Sequence, residues 1–188
     1  VFTGVALAQL AAAGVAAALF AGSVGPPWLA RFANTSGPTV GSLGAALLGV
    51  LALEVRHDKR QISSDALVGG LYALASAAAM LLVWRSAHGL AELRNLVAGE
   101  VLLSRQGDLL SLWIGLPLLA LVHLKLRRRF LLVSYDPAFA RSLGIHERRY
   151  QLALVGTLAV AVALSLRAGG LLLVFAVLVF PGLAALRL

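Results

Sequence analysis

Residues with reactive side chains are few and scattered in this sequence. It has no cysteine, and none of its four histidines is followed three or four positions later by a second histidine, as a metal-binding pair on one helical face would need. The two lysines, Lys59 and Lys125, do not stand in the G-x-x-x-x-G-K-[ST] pattern that holds nucleotide phosphates. No Ser/His/Asp or paired-carboxylate arrangement is visible. We therefore expect no metal site, no bound cofactor and no catalytic centre in this sequence.

One short stretch, "SYDPAFARSLGI" (134–145), is polar and carries helix start and stop signals. Asp136 is a residue type favoured at a helix N-cap, Pro137 suits the first helical position, and Gly144 suits the position just past the end. This pattern predicts a two-turn helix over 137–143. Isolated helices shorter than about 12 residues are marginal in water, so neighbouring elements must hold this one.

The two faces of this predicted helix differ. Phe139 and Leu143 are four residues apart and form an apolar edge with Ala140 beside them, while Arg141 can project elsewhere. A short capped helix of this kind suits docking into a groove of another protein. The pattern fits a connector lying on a membrane surface equally well, and the residues alone leave both interpretations open.

The surrounding elements are strongly apolar. Hydrophobic residues make up 60% of the chain and charged residues 13%, and the mean hydropathy is +0.91. No Asp, Glu, Lys, Arg or His occurs in 1–30, 32–53 or 66–84. Helical runs of about 20 apolar residues cross a hydrocarbon core of about 30 Å, so we predict an all-α, polytopic transmembrane helix bundle. The predicted spans are 4–22, 40–53 (short), 65–84, 109–124, 150–166 and 169–186.

The basic residues indicate an orientation. Segment 54–61 holds three of the sixteen and 125–149 holds seven; placing both inside also puts Arg187 inside, which brings eleven to the inner side and leaves five outside. Segment 86–108 is too charged for an ordinary span, so we predict an interfacial or re-entrant segment there. The net charge of +8 is thus attributed to membrane topology rather than to nucleic acid, and membrane lipid is the expected surrounding.

Small residues recur at one-turn spacing in the first span, which favours close helix packing. The two stripes are Gly4, Ala8 and Ala12, and Gly14, Ala18 and Gly22. Helices that slide along these faces during transport would need the same small residues. The sequence therefore does not distinguish static packing from sliding. No ionisable residue lies deep within a predicted span, which weighs against a proton-coupled carrier.

Four stretches, in chain order, resemble permease subunits of ABC importers of the zinc/manganese/iron type. The most specific is "LLVSYDPAFARSLGI" (131–145), which resembles the family's S-[FY]-D-P-x-x-A-x-x-x-G coupling-helix segment. The other three are "SSDALVGGLYALASAAAML" (63–81), "LRNLVAGEVLLS" (93–104) and "GGLLLVFAVLVFPGLAALRL" (169–188). The resemblance is collinear and covers nearly the whole chain.

The resemblance implies a multi-pass inner-membrane subunit that forms a homodimer and imports a divalent metal ion or a metal complex. It implies a separate ATPase that binds ATP and contacts the short cytoplasmic coupling helix, and an extracytoplasmic solute-binding protein that delivers substrate. The ATPase contact would then involve Asp136, Pro137, Phe139, Ala140, Arg141 and Gly144. Residues 1–188 are expected to form one transmembrane permease domain. The chain starts without Met and family members are longer, so we also expect terminal spans to be missing at both ends.

One stretch departs from the family pattern. Many members carry an Asp and a His one turn apart in the first stretch, facing the translocation path, and the matching positions here are Val5 and Gln9. Valine supplies no ligand and glutamine only a neutral carbonyl oxygen. A chelated metal and a metal that passes without strong permease ligands are both compatible with this pair, and we expect Gln9 and Val5 to line the path.

Two functions of other classes remain as alternatives. One is a membrane scaffold or assembly subunit that transports nothing. The other is an ion-coupled secondary carrier, which would need an acidic or histidine relay in terminal spans.

Overall fold

A computed structural model describes residues 2–57, 64–85 and 106–185, and within these ranges every regular element is a helix. The predicted all-α class is therefore confirmed. The helices are α1 (Phe2–Val24), α2 (Pro27–Asn34), α3 (Gly37–His57), α4 (Ser64–Arg85), α5 (Gln106–Tyr135), α6 (Pro137–Ser142) and α7 (Glu147–Ala185).

Four helical segments in the described ranges are long and apolar enough to cross a membrane: Thr3–Val24, Asp65–Arg85, Leu110–Tyr135 and Glu147–Leu166. They contain or closely match the predicted spans 4–22, 65–84, 109–124 and 150–166. The predicted short span 40–53 lies inside α3, which counts as a fifth crossing if it forms one broken span with α2, at a bend of 75°. The chain is thus a polytopic helix bundle.

Two segments differ from the sequence-based prediction. Helix α5 continues to Tyr135 instead of ending at 124, because the Lys and Arg residues of 125–129 are good helix formers. The last two predicted spans, 150–166 and 169–186, are present as two helical parts of α7, but they follow each other directly at a break at Gly170 (φ 71°, ψ 173°), and the second part continues to Ala185.

The structure adds one helix that the sequence did not predict, and it describes one predicted segment only in small part. Helix α2 was not predicted, although Pro27 stands at its start. The interfacial or re-entrant segment predicted for 86–108 lies, up to residue 105, outside the described residues.

Helix α1 is the central element of the bundle and contacts α3, α4 and α7. Of the most apolar 18-residue stretch of α1, 56% is buried in the bundle. The corresponding stretch of α5 is 0% buried, so α5 lies at the periphery. Residues of three helices form the core: Leu7, Ala8, Ala11, Ala12 and Val15 of α1, Ala46 and Val50 of α3, and Ala159, Val162, Ala163, Leu166 and Val174 of α7. The small side chains of α1 let its neighbours approach closely.

The closest approach is between α1 and α3 at two glycines. A Cβ atom placed on Gly14 would lie 2.1 Å from the carbonyl oxygen of Gly41, and one placed on Gly41 would lie 2.4 Å from the carbonyl oxygen of Gly14. The next residue of the stripe, Ala18, faces the same crossing, 3.0 Å from the Gly41 Cβ position. The predicted packing role of the small residues is confirmed for this part of the stripe.

Candidate functional site at the α5–α6–α7 junction

The N-terminus of α6 is capped as predicted. The Asp136 carboxylate accepts a hydrogen bond from the Phe139 backbone N–H at 2.9 Å, and Pro137 occupies the first turn. The carbonyl oxygen of Asp136 accepts from the N–H of Ala140 at 3.0 Å, which closes the first helical turn. Asp136 and Pro137 therefore begin the helix and fix its start.

The C-terminus of α6 is closed by a Schellman motif. The helix ends at Ser142, one residue earlier than predicted, and Gly144 has a positive φ of 73°. The Ile145 N–H donates to the Ala140 carbonyl at 3.0 Å, and the Gly144 N–H donates to the Arg141 carbonyl at 3.0 Å, the bond pair that defines this motif. The predicted role of Gly144 is confirmed. Since both ends are capped, a helix of six residues is held by its caps and its neighbours.

The apolar edge predicted for α6 is present, but Ala140 lies on the buried side of the helix. Phe139 and Leu143 are 51% and 56% exposed, so the apolar edge faces outward. Ala140 is 0% exposed, and α6 contacts both α5 and α7. Among the residues predicted to contact an ATPase, Ala140 is thus the one whose side chain packs inside this chain. Tyr135, the last residue of α5, is exposed beside the helix start and was not singled out from the sequence.

Two side-chain interactions join α6 and α5 to the first turn of α7. The Nε atom of Arg141 lies 3.0 Å from Oε2 of Glu147, an ion pair in which the N–H does not point at the oxygen. Arg129 donates a hydrogen bond to the hydroxyl of Tyr150, and its guanidinium carbon lies 5.3 Å from the centre of that ring. Sequence spacing could not reveal these pairs, because both depend on how three helix ends meet.

Val5 and Gln9 occupy successive turns of α1 in the interior of the bundle. Gln9 is 9% exposed, and its Oε1 atom is buried without a hydrogen-bond partner among the described residues. Val5 is half-buried. At the two positions where many family members carry an Asp and a His, this chain thus offers a single neutral carbonyl oxygen. The path-lining role of both residues stays a prediction.

The described residues contain no group of three or more His, Cys, Asp or Glu side chains placed to hold a metal ion. The best-organised polar region in these ranges is instead the junction of α5, α6 and α7. It combines a doubly capped helix, an exposed apolar edge and two arginine contacts. Such an arrangement suits a protein contact surface rather than a reaction centre.

The described residues form an all-helical bundle with several candidate membrane spans and a short capped helix, the architecture of a polytopic membrane protein. The sequence profile of the ABC 3 transport family matches residues 1–188, and the chain belongs to this family. It is accordingly a multi-pass cell-membrane protein, and the resemblance noted from its sequence motifs is confirmed.

Individual relatives agree with this assignment. The chain is 26% identical over 144 residues to the manganese transport system membrane protein MntB of Synechocystis, covering 75% of this chain and 47% of the relative. It is 29% identical over 147 residues to the manganese transport system membrane protein MntC of Halalkalibacterium halodurans, covering 76% and 50%. The chain therefore spans about half the length of the curated relatives it matches.

A solved structure shares the fold. The chain resembles PsaBC from Streptococcus pneumoniae, determined in complex with a Fab, with a TM-score of 0.68 and 18% sequence identity. The match covers 99% of this chain and 68% of that one. At this identity the likeness supports the helical architecture and nothing finer.

Proposed function

We propose that this chain is part of the permease subunit of an ATP-driven importer of divalent metal ions, with manganese as the first candidate substrate. The observation that carries the proposal is the family match across residues 1–188. Manganese is preferred over zinc and iron because relatives from two different bacteria are named as manganese transport proteins. Neither the scaffold nor the secondary-carrier alternative is favoured by these comparisons.

The proposed energy source is a separate ATPase that binds α6. This chain has no phosphate-binding loop of its own, so ATP would bind to the partner subunit and no cofactor to this chain. Phe139 and Leu143 offer an outward apolar edge of a kind that inserts into a groove on a partner. The caps at Asp136 and Gly144 support the proposal, because a rigid helix passes on displacement better than a flexible loop.

The proposed assembly has further members. A solute-binding protein would deliver the metal ion from outside the cell, and a second copy of the permease would complete the pathway. Exposed aromatic and large aliphatic side chains on α4 and α5, among them Met80, Trp84 and Trp113, provide apolar surface that lipid or a second copy can cover.

The substrate proposal has a direct test. Cells that express the full-length permease with its ATPase and binding protein are supplied with radioactive manganese, with excess zinc or iron, and with or without a chelator. We expect saturable manganese uptake that requires the permease and is weakly inhibited by the other two metals. Uptake that occurs only with a chelator present would identify a metal complex as the substrate, and an absence of metal uptake would contradict the proposal.

A further inference from the structure

We propose that two arginines clamp the first turn of α7, so that α6, the last turns of α5 and the first part of α7 move as one body that pivots at Gly170. Glu147 and Tyr150 are the positioning residues of this device, because each receives one of the arginines. The inference rests on the proposed ATPase contact of α6, since that contact supplies the displacement.

The first half of the clamp is the pair between Arg141 of α6 and Glu147 of α7. Exposed ion pairs contribute little, and the Arg141 side chain is 65% exposed, but the Glu147 oxygen that it approaches is buried. That oxygen has no aligned hydrogen-bond donor in the described part of the chain, so the Arg141 charge at 3.0 Å is what offsets its burial. Moving α6 away from α7 would leave the buried oxygen of a partly exposed carboxylate without a counter-charge, and this resists their separation.

The second half joins α5 to the same turn of α7. Arg129 donates to the Tyr150 hydroxyl and also lies near the ring, 5.3 Å from its centre, within the range of a cation–π contact. Glu147 and Tyr150 are three residues apart and therefore lie on the same side of α7. Arginines from two different helices thus hold one turn.

The connection between α6 and α7 adds a covalent restraint. Only residues 143–146 separate Ser142 from Glu147, and the Schellman hydrogen bonds of Gly144 and Ile145 tie the start of this link back to α6. A short, hydrogen-bonded link between two paired helix ends leaves little freedom for α6 to tilt without α7.

The backbone of α7 is interrupted at Gly170, and we place the pivot of this motion there. From Glu147 to the break the helix is about 34 Å long at 1.5 Å per residue, comparable to the hydrocarbon thickness. Gly170 then adopts φ 71° and ψ 173°, a conformation that is essentially restricted to glycine. The first part of α7 is held to α6 at one end and stops at Gly170 at the other. A tilt of α6 can therefore change the helix angle at Gly170, deep in the bundle.

The test uses the full-length permease reconstituted with its ATPase and binding protein, and it measures permease–ATPase association, ATP hydrolysis and metal uptake separately. For Glu147→Gln and Tyr150→Phe we expect normal association and continued ATP hydrolysis, with about tenfold less metal imported per ATP, a change typical of lost coupling between two sites. Glu147→Asp keeps the carboxylate that faces Arg141 and should retain more import per ATP than Glu147→Gln. Arg149→Gln removes an exposed charge from the same turn and should match the wild type.

A second pair of variants, a test and its control, examines the pivot at Gly170. Gly170→Ala should abolish most import per ATP, because alanine disfavours the observed backbone conformation. Gly156→Ala, in the regular part of the same helix where an added Cβ meets nothing within 4 Å, should be neutral. Wild-type import per ATP in both Glu147→Gln and Gly170→Ala would overturn the inference while leaving the proposed function intact. Failure of the wild-type permease to bind its ATPase would instead refute the proposed function.

Discussion

Close contact between α1 and α3 predicts a large effect from adding a single methyl group. In Gly14→Ala the new Cβ would lie 2.1 Å from the Gly41 carbonyl oxygen and 2.6 Å from the Ala45 Cβ, where ordinary contacts begin at 3.4 Å. The two helices would have to separate by about 1 Å, and a gap of that size forfeits a substantial part of the dispersion energy around the crossing. Overpacking of this kind costs about 1–3 kcal/mol.

A matched substitution separates this packing cost from the general effect of alanine in a helix. Gly44 lies on α3, where an added Cβ meets nothing within 4 Å, so Gly44→Ala should show only the helix-propensity gain of up to about 1 kcal/mol. Both variants of the full-length protein would be unfolded by a denaturing detergent in mixed micelles, followed by tryptophan fluorescence. We expect Gly14→Ala to unfold at lower denaturant than the wild type and Gly44→Ala to unfold at the same or higher denaturant. Equal stability of the two variants would refute the described crossing.

Three further substitutions test smaller features. Asp136→Ala should destabilise α6 by about 1 kcal/mol through loss of its N-cap, measured as faster amide hydrogen exchange over 139–142, and Asp136→Ser should retain most protection. Gly144→Ala should cost about 1–2 kcal/mol, seen as the same faster exchange, because φ is 73° there although nothing crowds the position; Gly144→Asn should cost less. Gln9→Leu should raise the free energy of unfolding by about 1–3 kcal/mol in the same mixed micelles, because its amide oxygen has no partner among the described residues, and a loss of stability would contradict this expectation.

Features encoded locally could be predicted from the sequence. Charge-free runs located the long apolar helices, because a membrane span needs only length and hydrophobicity. The signals at Asp136, Pro137 and Gly144 located α6 to within one residue, since caps act through bonds between neighbours in the chain.

Features that depend on how helices meet could not be predicted. The ion pair of Arg141 with Glu147 joins residues on either side of a turn, and the contact of Arg129 with Tyr150 joins residues 21 apart. The continuation of α5 past 124 is not evident from the sequence, because basic residues at a membrane surface are as typical of a loop as of a helix that emerges from the bilayer. The break at Gly170 lies beside the predicted boundary between the spans 150–166 and 169–186, but its backbone conformation does not follow from that boundary.

The central claim, that α6 couples a separate ATPase to metal uptake, is tested most directly by the number of manganese ions imported per ATP hydrolysed. The full-length permease, its ATPase and its binding protein would be compared in proteoliposomes as the wild type, Phe139→Ala and Phe180→Ala; both phenylalanines are exposed, but Phe180 belongs to the part of α7 that follows the break at Gly170 and not to α6. We predict that Phe139→Ala continues to hydrolyse ATP with little import, while Phe180→Ala matches the wild type. A wild-type ratio of import to hydrolysis in Phe139→Ala would contradict the claim.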